Sequence, residues 1–200
     1  SACVASWSSD GIITFHDWHP VNIQEYGIAA PDPRNPDIVF GSSRSNVSRY
    51  DRKTGQTTNV GPDMTGFNRN VRTMPLLFSP VNPDALFYAS NAVWKTLDRG
   101  HSWTRISPDL SRQSWEVPAT AGKYASTVTP APLGTITALA ASPRSVAILW
   151  AGTDDGLIQV TEDGGKAWRK IEKFAGLPEV AGGMTGVYVQ RVYASRHDAN

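Results

Sequence analysis

Short apolar runs recur along this chain, and each is broken by a cluster of Gly, Pro, Asn, Asp or Ser. Runs of this length, rich in β-branched and aromatic residues, predict strands. Residues 76–78, 85–88, 92–95 and 103–106 give four strands within about 36 residues. Residues 136–139, 148–150, 157–160 and 168–171 give a second set of four. No stretch of comparable length carries apolar positions at a period of 3.6, so helices are not expected.

The strand sets belong to a repeat. Three segments share one layout of strand, Pro-containing turn, second strand, third strand and Asp-bearing hairpin. The turns are Asp32-Pro33-Arg34-Asn35-Pro36-Asp37, Ser79-Pro80-Val81-Asn82-Pro83-Asp84 and Ser142-Pro143-Arg144-Ser145. Pro33 leads to Asp51 and Pro80 to Asp98, each 18 positions on, and Pro143 leads to Asp163, 20 on. Near-constant spacing inside a unit, with variable length between units, marks a repeated supersecondary element. Four antiparallel strands per unit describe the blades of an all-β propeller. The expected blades are 24–60, 71–106 and 134–172, within one propeller domain or propeller fragment. A fourth unit begins near Val187 and reaches Ser195-Arg196-His197. Strands expected at 3–7 and 11–15 would combine with 185–194 into a composite fourth blade, closing a small ring. The other reading, favoured because the repeat is cut mid-unit, is a natural fragment of a longer propeller that associates with copies of itself through its open blade edges.

Two hairpins carry one octapeptide at identical spacing. Thr96-Leu97-Asp98-Arg99-Gly100-His101-Ser102-Trp103 and Thr161-Glu162-Asp163-Gly164-Gly165-Lys166-Ala167-Trp168 both read Thr-x-Asp-x-Gly-x-x-Trp. An Asp carboxylate at such a turn accepts backbone N–H bonds. Gly supplies a positive φ, and Trp opens the next strand with a large ring to pack on a neighbouring sheet. The first repeat, Tyr50-Asp51-Arg52-Lys53-Thr54-Gly55, keeps Asp and Gly at a different spacing and lacks Trp, so its hairpin is expected to turn differently.

These residues resemble the Asp-box, or bacterial neuraminidase repeat, over roughly residues 24–195. With Trp150-Ala151-Gly152-Thr153-Asp154-Asp155-Gly156 they look like large bacterial repeat proteins related to the sortilin (Vps10) propeller. The resemblance implies a propeller fold and a secreted or periplasmic bacterial setting. Its members run from sialidases and xyloglucan-cleaving hydrolases to sortilin-type receptors and a photosystem assembly factor, so it implies fold more than activity. It also implies that the Asp-box turns face away from the ligand-binding end. Thr96, Asp98, Gly100, Trp103, Thr161, Asp163, Gly165 and Trp168 are therefore expected to be structural.

Composition narrows the partners. Nineteen basic and 18 acidic residues, with no Lys or Arg run, do not make a nucleic-acid surface. No apolar run approaches the ~18 residues of a membrane span. The single Cys3 excludes an internal disulfide and has no base near it in sequence. His16 and His19 stand three apart without a further ligand, so no metal and no cofactor are expected.

Binding is expected at the opposite end of the blades, on the turns at 42–46, 90–91 and 154–156 and the inserts at 61–70, 107–133 and 173–183. Candidate ligand-binding residues are Asn91, Trp115, Tyr124, Asp154 and Asp155, with Lys123 beside the aromatics. No catalytic residue is assigned. Adjacent carboxylates such as Asp154 and Asp155 point in different directions, whereas glycosidases need two that face each other across a sugar. The expected function is a non-catalytic module binding a glycan, peptide or protein. The alternative is a glycoside hydrolase of the neuraminidase or xyloglucanase sort.

Overall fold

Three consecutive four-stranded antiparallel meanders make up the computed structural model, which describes residues 3–5, 11–43, 46–66, 69–113, 132, 134–176 and 188–197. Ahead of them a two-stranded ladder pairs β1 (Cys3–Ala5) with β2 (Trp18–Pro20). The first blade runs β3 (Ala29–Pro31), β4 (Ile38–Ser42), β5 (Val47–Asp51) and β6 (Thr57–Asn59). The second runs β7 (Leu76–Phe78), β8 (Leu86–Ala89), β9 (Val93–Thr96) and β10 (Thr104–Arg105). The third runs β11 (Ile136–Ala141), β12 (Leu149–Thr153), β13 (Ile158–Thr161) and β14 (Arg169–Ile171). Sequence order is spatial order within each sheet, which is the topology of propeller blades.

Alternation along the middle strands builds the layers between blades. Leu86 and Tyr88 pack towards the first blade with Phe40, Val47, Met74 and Leu76. Phe87, one position out of phase, packs the other way with Leu149, Ala151 and Ile136 of the third blade. Both faces of the second blade are therefore apolar, so its strands read as continuous hydrophobic runs rather than as alternation. Phe40 and Phe78 meet edge to face across one layer, with ring centroids 5.6 Å apart.

The ends of the chain depart from expectation. Residues 11–14 form no strand, and Phe15–Asp17 is a single 3-10 turn, so the partner of Cys3–Ala5 is Trp18–Pro20. A capping box explains the turn: Asp17 Oδ2 accepts from the Thr14 amide at 2.6 Å and from its hydroxyl at 2.9 Å. Val21 and Ile23 then pack on Val39 and cover the outer face of the first blade. Residues 188–195 run beside the third blade, with the Val189 amide bonded to the Thr153 carbonyl at 3.1 Å. Gly152 admits Val189 so closely that a Cβ there would overlap it and press on Val192. The composite sheet of both chain ends does not form among the described residues, because β1 and β2 pair only with each other.

Candidate functional site

Antiparallel order places the Pro turns and the Asp-bearing hairpins at one end of the blades. The β4–β5, β8–β9 and β12–β13 turns and the inter-blade connections lie at the other, called here the connection end.

At the first end the two octapeptides fold alike. Asp98 Oδ1 accepts from the Thr96 hydroxyl at 2.7 Å and the Ser102 amide at 2.8 Å, while the Ser102 hydroxyl donates to Oδ2 at 2.5 Å. These bonds, the Ser102 hydroxyl foremost, hold the Asp98 carboxyl down at about 2. Asp163 Oδ1 accepts from the Ala167 amide at 3.0 Å, the Lys166 amide at 2.9 Å and the Thr161 hydroxyl at 2.9 Å, and its pKa is likewise lowered. The Thr hydroxyls accept in turn from Gly100 and Gly165. Beyond the turn, Trp103 Nε1 donates to the Val60 carbonyl at 2.6 Å and Trp168 Nε1 to the Ile106 carbonyl at 3.0 Å. Each hairpin thus grips the end of the preceding blade's outer strand. The first blade turns differently: Lys53 and Thr54 amides bond Asp51 Oδ1, and Gly55 takes the positive φ of 73°.

An ion cluster joins the first two blades at the same end. Arg99 Nε meets the buried Asp32 carboxylate at 2.7 Å, and Asp84 accepts from Arg34 at 2.8 Å and from Arg99 at 3.4 Å. These acids and bases tie the first two blades together at that end.

At the connection end the expected site residues are held by their neighbours. Asn91 is buried, its Oδ1 accepting from the Arg69 amide at 3.0 Å and its amide donating to Asp109 at 3.2 Å. Arg69 also donates to Asp109 at 2.5 Å, to the Ser111 hydroxyl at 2.7 Å and to the Gly134 carbonyl at 3.1 Å. Burial raises the Asp109 pKa, but hydrogen bonds from Ser111 and Arg69 outweigh it and leave the group below its usual range. Asp154 accepts from the Thr135 amide at 2.7 Å and its hydroxyl at 3.0 Å. Asp155 accepts from the Arg112 amide at 2.8 Å and the Thr153 hydroxyl at 2.5 Å. The two neighbouring carboxylates, on the turn after β12, reach different partners. Trp115, Lys123 and Tyr124 lie outside the described residues.

A different constellation is open to solvent here. Tyr26 is exposed, sits at a φ of 63° and lies under the Arg72 guanidinium, 4.9 Å from the ring centroid. With Gln24 and Glu25 the pair lines a cavity of about 310 Å³. A positive φ in a residue other than Gly costs of order 1 kcal/mol and accumulates at binding sites. A larger cavity of about 510 Å³ is lined by residues at or near the starts of the first strands of the blades, including Ile28, Leu76 and Ala138, and by Tyr188, Arg191 and Tyr193. Sequence reasoning missed Tyr26 and found no reason for Arg72 to converge with other groups, because residues 46 positions apart with no motif around them give no local signal. Among the described residues no group of three His, Cys, Asp or Glu side chains is placed to hold a metal ion, and no helix is long and apolar enough to cross a membrane.

No family model matches the chain, and no curated protein matches it. Among solved structures it is similar to an ancestral GH74 enzyme, with a TM-score of 0.48 at 15% identity, covering 77% of this chain and 19% of that one. It is similar to the GH74 xyloglucanase from Xanthomonas campestris, with a TM-score of 0.39 at 18% identity, covering 75% of this chain and 23% of that one. A third is YCF48 from Cyanidioschyzon merolae, with a TM-score of 0.40 at 15% identity, covering 76% of this chain and 40% of that one. The chain therefore spans less than half the length of each, and at these identities the likeness is one of fold alone.

Proposed function

We propose that the chain is a non-catalytic propeller module of the Asp-box kind that binds a glycan, peptide or protein at the connection end of its blades. The observation that carries this reading is the exposed Tyr26–Arg72 stack beside its cavity. A strained, solvent-facing aromatic with a guanidinium, an amide and a carboxylate around it offers a stacking face and hydrogen-bond groups to one ligand, and sugar rings match that combination best. The engagement of Asp109, Asp154 and Asp155 by backbone amides, hydroxyls and Arg69 supports binding over hydrolysis. A glycosidase needs two free carboxyls facing each other across a sugar, and each of these three is already engaged by protein donors.

The test combines a glycan array with a reporter-glycoside assay on the whole chain. Expected is binding lost in Tyr26→Ala and weakened in Arg72→Ala, with no turnover. Robust turnover that disappears in Asp154→Asn or Asp155→Asn would overturn the reading in favour of a glycoside hydrolase.

A further inference from the structure

A single buried hydroxyl ties together the two chain segments that meet at the Tyr26–Arg72 contact. Ser42, at the end of β4, accepts from the Ile28 amide at 3.1 Å and donates to the Met74 carbonyl at 2.7 Å. Ile28 stands two positions after Tyr26, and Met74 two positions after Arg72. One side chain therefore sets the spacing between the segment that carries the ring and the segment that carries the guanidinium. Each segment is also held by itself. Residues 24–27 form a turn closed by a bond from the Gly27 amide to the Gln24 carbonyl at 2.9 Å. A Cβ on Gly27 would run into the Ser42 carbonyl and into Ile23, which is buried against Val39. On the other segment the Val71 amide bonds the sulfur of the buried Met74 at 3.2 Å. The exposed pair thus stands on a fixed base, which lowers the ordering cost of binding.

Charge is the second observation. Arg69, three positions before Arg72, meets Asp109. Among the described residues no carboxylate lies within salt-bridge distance of the Arg72 guanidinium, which is held only over the Tyr26 ring. A guanidinium over a ring keeps its fork of N–H donors, and that fork matches a carboxylate through two parallel bonds. The cavity of about 310 Å³ beside it is lined by Gln24, Glu25, Tyr26 and Arg72, with no aliphatic side chain among them. It is at the small end of ligand sites and lacks the apolar pockets that hold peptide side chains. Ring hydroxyls fit it better. The Gln24 amide both donates and accepts, the Glu25 carboxylate accepts, and Tyr26 offers a flat face for a sugar ring.

From this geometry we infer that the ligand of the Tyr26–Arg72 cavity is a carboxylate-bearing sugar, a uronate unit of an acidic polysaccharide. Its carboxylate pairs with the Arg72 fork, its ring lies on Tyr26, and its hydroxyls reach Gln24 and Glu25. The inference rests on the glycan-binding form of the proposed function and narrows it to one ligand chemistry.

The test compares each acid with a form of the same sugar that has lost its charge. Trimers of galacturonate and of mannuronate are titrated calorimetrically into the whole chain, each beside its methyl ester. Expected is that at least one acid binds about tenfold more tightly than its ester, the effect of one charge-assisted pair. Arg72→Gln should bring the acid down to the affinity of the ester and leave the ester unchanged. Arg72→Lys, which keeps the charge without the fork, should restore part of the difference, and Tyr26→Ala should abolish binding of both forms. Esters that bind as tightly as the acids, through Tyr26, would overturn this inference and leave the glycan-binding reading standing. Binding of no sugar, acidic or esterified, would overturn both. An acidic peptide such as tetraglutamate that binds through Tyr26 and Arg72 where no uronate does would overturn the assignment to a sugar.

Discussion

Trp168 Nε1 donates to the Ile106 carbonyl at 3.0 Å, joining the hairpin of the third blade to the end of the second across 62 residues of sequence. Trp103 does the same to Val60, so one side chain both fills the layer between blades and satisfies a strand-end carbonyl. Replacing either indole by a phenyl ring keeps most of the packing and removes the bond. Trp103→Phe and Trp168→Phe should each cost about 1 kcal/mol, and the double variant about twice that, because the seams are separate. Urea unfolding of the four proteins checks this. A double variant no less stable than either single would show that the latches do not act independently.

Two adjacent glycines separate backbone strain from close packing. Gly164 and Gly165 both have positive φ, 78° and 101°. A Cβ on Gly164 meets nothing within 4 Å, whereas one on Gly165 runs into the Ile106 carbonyl and side chain. Gly164→Ala should therefore cost only the left-handed penalty of about 1–2 kcal/mol. Gly165→Ala should cost clearly more, with the second and third blades pushed apart and Trp168 fluorescence shifted towards that of an exposed indole. Equal losses in the two variants would mean that the seam yields easily.

Acid should loosen the hairpins in a definite pH window. The Asp98 carboxyl stands at about 2 when folded and at 3.8 when free, and Asp163 is lowered in the same sense by the Ala167 amide and its neighbours. Below pH 5 the unfolded chain takes up these protons first, so stability present above that range falls as pH drops towards 2. Asp98→Asn with Asp163→Asn removes the titration. That variant should be less stable at pH 7 and should lose less between pH 5 and 2. Urea midpoints at pH 7, 4 and 2.5 measure both slopes, and parallel curves would exclude the two carboxylates as the source.

Much of this architecture was legible in the sequence for a local reason. Strands of the second and third blades start within a residue of their expected places: 85–88 is found at Leu86–Ala89, while 148–150 is found at Leu149–Thr153, three residues longer at its end. Turn chemistry and the octapeptide are short-range signals, so they survive translation into structure. The N-terminal strand expected at 11–15 is absent because the bonds from Thr14 to the Asp17 carboxylate turn the chain at Phe15–Asp17 and cut short the apolar run Ile12-Ile13-Thr14-Phe15. The connection end was the least legible. Asn91 reads as an exposed turn residue, yet it is buried by Arg69, 22 positions earlier in sequence, and by Asp109, 18 positions later. Contacts of that range leave no pattern in a single sequence.

That network supplies the last prediction. Arg69 and Asp109 are an ion pair with side chains 28% and 14% exposed, dry enough for each to depend on the other. Removing one partner leaves the second buried and uncompensated, so Arg69→Ala and Asp109→Ala should each cost about 3 kcal/mol. Removing both deletes the orphan as well as the pair. The double variant should then be much better than the sum of the singles, with an interaction energy of roughly 1–2 kcal/mol. Asn91 distinguishes this network from a simple pair. It bonds both the Arg69 backbone and the Asp109 carboxylate, so Asn91→Ala should weaken the measured coupling as well as the fold. A double-mutant cycle by urea unfolding, run with Asn91 and with Ala at that position, measures both quantities. Identical coupling in the two backgrounds would place Asn91 outside the network and leave it as a buried turn residue free to be replaced.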